Sequence, residues 1–163
     1  MERTDLIRAY FDDKSGYYQD ELLKFENGKK SSFNFSAALF GIGWLLYRKM
    51  YVYATVFIVL IFVVSFAVEF ILIQINPNIG TGNSYGLIIV WITSFLIFGY
   101  LGNKLYIDEV ISKVDNFIKK NGIENTDKTL IKKFKKKGGT SIGSALIFLF
   151  TMFIIQIIID IYL

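Results

Sequence analysis

At 163 residues the chain has the length of one domain, and it is 53% hydrophobic and 17% aromatic with a formal net charge of +4. It holds neither Cys nor His, which excludes a disulfide framework, a Cys/His zinc site, a thiol nucleophile and an imidazole base. The mean hydropathy of +0.46 averages long apolar blocks with charged ones, a pattern that predicts an all-α integral membrane protein whose basic excess serves topology and not nucleic acid.

Residues 1–32 are polar and lack the basic start and immediate apolar run of a cleavable signal. Two amphipathic cytoplasmic helices are predicted here. Thr4 is placed to cap the first, whose Leu6, Ile7, Tyr10 and Phe11 share a face. Ser15 is placed to cap the second, with Tyr18, Leu22 and Phe25 on one side, Asp20 at i,i+4 to Lys24, and Gly28 as the stop.

Residues 33–163 form the membrane domain. Its first apolar stretch, 35–47, reaches about 20 Å as a helix against the roughly 30 Å of hydrocarbon it would need to cross. A short re-entrant or interfacial helix is therefore predicted, with Trp44 and Tyr47 at headgroup depth. The pair Ala37/Gly41 is small enough for close helix packing. Residues 51–75 carry Glu69 as their only charge and are long enough to span. The uncharged NPNIGTGNS of 76–84 reads as a turn.

A second span covers 85–103, and its helical period continues toward Lys120, with Glu109–Lys113 and Asp115–Lys119 as i,i+4 pairs and Gly122 as the stop. The segment 104–140 is predicted to be helical and cytoplasmic. Its second helix follows Thr126, with Leu130, Ile131 and Phe134 inward and lysines outward, and Gly138-Gly139 turns the chain into the third span, 141–163. The stretch 104–137 carries ten lysines against five acids, while 76–84 carries no charge. The positive-inside rule then places the N-terminus in the cytoplasm and the C-terminus outside.

The box FNFSAALFGIGWLLYRKMY, residues 33–51, resembles the signature of a bacterial membrane family known as domain of unknown function 2628. Phe33, Asn34, Trp44, Tyr47, Arg48, Lys49, Met50 and Tyr51 fit it, and Phe35 and Ile42-Gly43 depart from it. The GNKLY of Gly102–Tyr106 is similar to a second landmark of that family. The resemblance covers roughly residues 17–140 and implies a bacterial inner-membrane fold without implying an activity.

Three groups of residues are candidates for contact with something else. Glu69 and Asp160, with Gln74 and Gln156 nearby in sequence, fall at one depth, about 27–29 Å along their helices, and form a candidate outer polar site. The alternative is that both acids reach the outer headgroups. Trp44, Tyr47, Arg48 and Lys49 are candidate lipid or partner contacts, or else an aromatic belt with a basic anchor. Lys132, Lys133, Lys135, Lys136 and Lys137 are placed to attract anionic lipid, or only to set topology.

With no nucleophile constellation, metal cluster or cofactor loop, the chain is read as a binding protein and not an enzyme. Immunity against a membrane-acting toxin is the first reading. An accessory subunit or anionic-lipid-binding scaffold is the second, and a subunit of an oligomeric transporter or channel the third.

Overall fold

The alternation of apolar and charged blocks resolves into eight α-helices and no strand among the described residues, which are 2–12, 15–76, 84–122 and 128–162 of this computed structural model. In chain order they are α1 (Arg3–Phe11), α2 (Tyr17–Glu26), α3 (Phe35–Phe40), α4 (Ile42–Tyr47), α5 (Tyr51–Ile75), α6 (Ser84–Asn121), α7 (Lys128–Lys137) and α8 (Ile142–Tyr162). Three of them, α5, α6 and α8, are long and apolar enough to cross a membrane. In hydrocarbon a helix bonds its own backbone, so the many β-branched residues of these spans are no obstacle. The turn expected at Pro77, Gly80 and Gly82, and the cap at Thr126, lie outside the described residues.

Helix α6 runs unbroken for 38 residues, roughly 57 Å at 1.5 Å per residue, and Gly122 in the left-handed region follows its end. Its first half faces outward. From Phe98 onward a buried stripe appears, through Asn103, Tyr106, Ile107, Val110 and Val114, at the three- and four-residue spacing of one helix face. The core of the molecule therefore begins where the apolar run ends.

Around that stripe α1, α2, α3 and α7 assemble. Leu6, Ile7, Tyr10 and Phe11 are all buried, the face predicted for α1, as are Tyr18 and Leu22 of α2, whereas Phe25 is exposed. Phe134 of α7 stacks on Phe117 of α6 at 4.2 Å between centroids. Arg3 grips Asp115 through two hydrogen bonds of 2.6 and 3.0 Å, tying α1 to α6. This contact displaces the expected Asp115–Lys119 pair, while Glu109–Lys113 forms at 2.7 Å.

Local capping also differs from expectation. Glu2, and not Thr4, is the N-cap of α1, with its N–H donating to Asp5 Oδ2 at 2.9 Å. Gly16, and not Ser15, precedes α2, and Ser15 Oγ accepts from the Tyr17 N–H at 3.3 Å. Lys24 pairs with Glu21 at 2.6 Å instead of with Asp20, because Glu21 is the carboxylate turned into the packed layer.

The stretch 35–47 is two six-residue helices and not one. They meet at Gly41, whose φ of 47° and ψ of −116° suit glycine. A Cβ there would also stand 3.3 Å from the Phe98 ring. Helix α3 lies on α6, and α4 bridges α5 and α8. Lys49, at a φ of 60°, makes the corner into α5. Helix α8 is rooted by the Ser141 N–H on Tyr47 O, 2.7 Å, and by Ser144 Oγ against Tyr51 OH, 3.0 Å. It contributes nothing to the buried hydrophobic cluster of the described residues.

Candidate functional site

Helix α3 approaches α6 closely because α6 presents glycine there. The Phe33 ring occupies the space that a side chain at Gly99 would need, and the Ala37 Cβ stands 2.7 Å from where a Cβ on Gly102 would be. That approach brings the two landmark motifs together. The Asn34 N–H donates to Gly99 O at 2.8 Å, and Asn34 Nδ2 donates to Asn103 Oδ1 at 2.7 Å. Asn34 Oδ1 in turn caps α3 through the Ala37 N–H, 2.9 Å, as an N-cap asparagine does.

Asn103 is fully buried and continues the network, donating to Tyr17 OH at 2.7 Å, Ser32 O at 3.0 Å and Glu21 Oε2 at 3.3 Å. Glu21 is only 1% exposed. It accepts from Lys24 Nζ and Ser31 Oγ, each at 2.6 Å, and from the Ser32 N–H at 2.9 Å. Burial pushes this carboxyl upward, but the bonds from Lys24, Ser31 and Ser32 outweigh it and hold the group at about 2.

Beside this network Arg48 lies among aromatic rings. Its guanidinium carbon is 4.4 Å from the Tyr18 centroid, 5.2 Å from Tyr106 and 5.4 Å from Tyr47, distances at which the ring faces attract a cation. Tyr18 and Tyr106 meet edge to face at 4.7 Å, and Trp44 packs on Tyr106 at 6.1 Å. Burial pushes the Tyr106 and Tyr18 phenols above their ordinary range. Arg48 makes no ion pair among the described residues. Arg48 Nε and Tyr106 OH are both buried without a hydrogen-bond partner. A cavity of about 450 Å³ opens here, lined by residues that include Tyr17, Tyr18, Asn34, Ser36, Trp44, Tyr47 and Arg48.

Trp44, expected at headgroup depth, is 4% exposed and so is not a broad lipid contact. Tyr106 and the glycine surface of α6 draw it inward. Tyr47 and Arg48 are half-buried. Lys49 is also partly withdrawn, its Nζ donating to Lys136 O at 3.1 Å and to Gly138 O, which closes the carbonyl end of α7.

A second cavity, about 670 Å³, lies between α6, α7 and the start of α5. Lys49, Lys113, Lys120, Lys133, Lys136 and Lys137 line it, over walls that include Tyr10, Tyr51 and Phe117, and no carboxylate lines it among the described residues. Lys132 and Lys135 are exposed on other faces of α7. No group of three or more His, Cys, Asp or Glu able to hold a metal occurs among the described residues.

The acidic candidates are placed less completely. Glu69 is half-buried on α5, and Gln74 and Gln156 are exposed on α5 and α8. The side chain of Asp160 lies outside the described residues, and with it the expected meeting of Glu69 and Asp160. Sequence reasoning missed Glu21, Tyr17, Ser31 and Ser32 as members of a site. Asn34 and Asn103 stood in the two landmarks, but as separate motifs; an amide at the end of an apolar run was the available signal.

The profile of a family described as Protein of unknown function (DUF2628) matches residues 4–111, a stretch that holds α1 to α5 and the buried polar network. No curated protein and no solved structure matches the chain.

Proposed function

The chain belongs to the DUF2628 family, and from that premise we propose that it is a bacterial inner-membrane binding protein, not an enzyme, whose cytoplasmic layer holds anionic lipid headgroups. The observation that carries this reading is the lysine-lined cavity of about 670 Å³. Its wall includes Tyr51, the first residue of α5, which supports a position beside the end of a span. Lys113 is paired with Glu109; the other five lysines have no lining carboxylate among the described residues, and a phosphate-rich surface relieves their mutual repulsion. Each lysine near an anionic leaflet is worth about 1 kcal/mol.

The positive-inside rule supports the orientation, with α1, α2 and α7 in the cytoplasm and the C-terminus outside. The bend at Gly41, with α3 and α4 folded back against α6 and α5, supports a shallow re-entrant element in the inner leaflet. The lysine cavity favours this reading over a toxin site on the outer face or an oligomeric transporter.

The test is lipid selectivity in nanodiscs. Protein reconstituted in mixed phosphatidylcholine and phosphatidylglycerol should retain the anionic lipid preferentially through mild extraction, as read by native mass spectrometry. Replacing Lys133, Lys136 and Lys137 together with Gln should abolish the preference. Equal retention of both lipids by the native protein would overturn the reading.

A further inference from the structure

We propose that the Arg48 cavity is a separate binding site for one phosphate-bearing group, held by the Arg48 guanidinium within an aromatic enclosure. Three observations converge. Arg48 has a buried Nε without a hydrogen-bond partner. It makes no ion pair among the described residues, and the faces of Tyr18, Tyr47 and Tyr106 surround its guanidinium carbon. The adjoining cavity of about 450 Å³ is lined by Arg48 itself and by Asn34, Tyr17, Tyr47 and Ser36, whose amide and hydroxyl groups can donate to an oxyanion. That volume lies within the range of small-molecule sites.

Arg48 lines the cavity with its guanidinium held among aromatic rings, and a guanidinium carries its N–H donors in a fixed planar fork. That fork matches two oxygens of a phosphate better than an ammonium does. The buried Asn34–Asn103–Glu21 network holds one wall in place, because Asn34 both lines the cavity and bonds to Asn103. No part of the lysine cavity is shared: neither wall names a residue of the other. The site therefore stands or falls independently of the lysine reading.

The chain carries two tryptophans. Trp44 lines the cavity, and Trp91 is 65% exposed on span α6. Fluorescence of the Trp91→Phe protein in phosphatidylcholine nanodiscs thus reports the site alone. Inorganic phosphate, glycerol 3-phosphate and dihexanoyl phosphatidic acid are titrated separately. A saturable change with inorganic phosphate identifies a soluble phosphate ligand; one that requires the diacyl probe identifies a lipid headgroup. Either result supports the site if Arg48→Gln weakens it at least tenfold and the Lys133/Lys136/Lys137 triple variant leaves it within twofold.

Should Arg48→Gln fail to fold, Ser36→Asp serves in its place. Ser36 is exposed, in the first turn of α3, where a carboxylate is tolerated, and it would supply Arg48 with an internal counter-ion. It should weaken binding at least tenfold. No saturable change with any probe, or unchanged affinity in the variants, would overturn the proposal.

Discussion

The two ends of helix α6 obey different rules. Along its first half, Leu87, Trp91 and the neighbouring apolar residues face outward, and Phe66 on the adjacent α5 is 80% exposed. Along its second half, Tyr106, Ile107, Val110 and Val114 are at most 1% exposed. In water, apolar surface drives helices together; in hydrocarbon it supplies no such drive, and packing detail must hold spans to one another. The lesson is that this chain keeps its buried polar contacts where the long apolar run of α6 ends. There Asn34, Asn103 and Glu21 are buried together, and the hydrogen bonds among them replace those that burial takes from water.

The largest loss is expected where the apolar run of α6 gives way to the buried polar network. Replacing Asn103 by Leu removes the donor to Glu21, Tyr17 and Ser32 and leaves the Asn34 amide unmet. The expected cost is about 3–5 kcal/mol, seen as a large fall in the unfolding temperature of the protein in mild detergent. A change within error would show that the network is ornamental.

Acid offers a second way to break the comparison. The Glu21 carboxyl sits at about 2 in the folded protein against 4.5 for a free glutamate, so its contribution is complete above the unfolded value and disappears as pH falls through the folded one. Stability should drop by about 3 kcal/mol between pH about 5 and about 2. Glu21→Gln should remove most of this slope; an unchanged slope would assign it to other carboxylates.

A smaller effect sharpens the role of close approach. Gly102→Ala places a Cβ 2.7 Å from that of Ala37, so α3 must shift, at an expected cost of about 1–3 kcal/mol. The same change at Gly143, where a Cβ meets nothing within 4 Å, should be close to neutral. Smaller than the Gly102 effect is that of Arg3→Gln. Its ion pair with Asp115 is exposed on both sides, at 41% and 50%, and should contribute at most about 1 kcal/mol, diminishing with added salt. If these variants were ranked in reverse by thermal melting, the contrast between boundary and surface would fail.

Much of the architecture was legible because it is written locally. The span Tyr51–Ile75 and the single long α6 follow from uninterrupted apolar and helical periods, and the buried face of α1 follows from four residues at helical spacing. The break at Gly41 was not legible, since it depends on the Phe98 ring carried by a distant helix. Nor were the partners of Glu21 and Asn103: their bond joins residues 82 positions apart, and Asn34–Asn103 spans 69. Lys24 and Asp115 had plausible partners within their own helices and took others, because tertiary packing decided which carboxylate faced which cation. Trp44 looked like a belt residue until Gly102 and Tyr106 supplied a surface to receive it.

The 69-residue separation between Asn34 and Asn103 has a consequence for how the chain is made. Between the two amides lie α3, α4, the whole of α5 and the first half of α6, so the partners are synthesised on either side of two stretches long and apolar enough to cross a membrane. They can meet only if both spans insert in opposite senses and the chain returns to the side it left. A nascent protein with one span skipped would strand Asn103 across the membrane from Glu21 and leave buried polar groups unsatisfied.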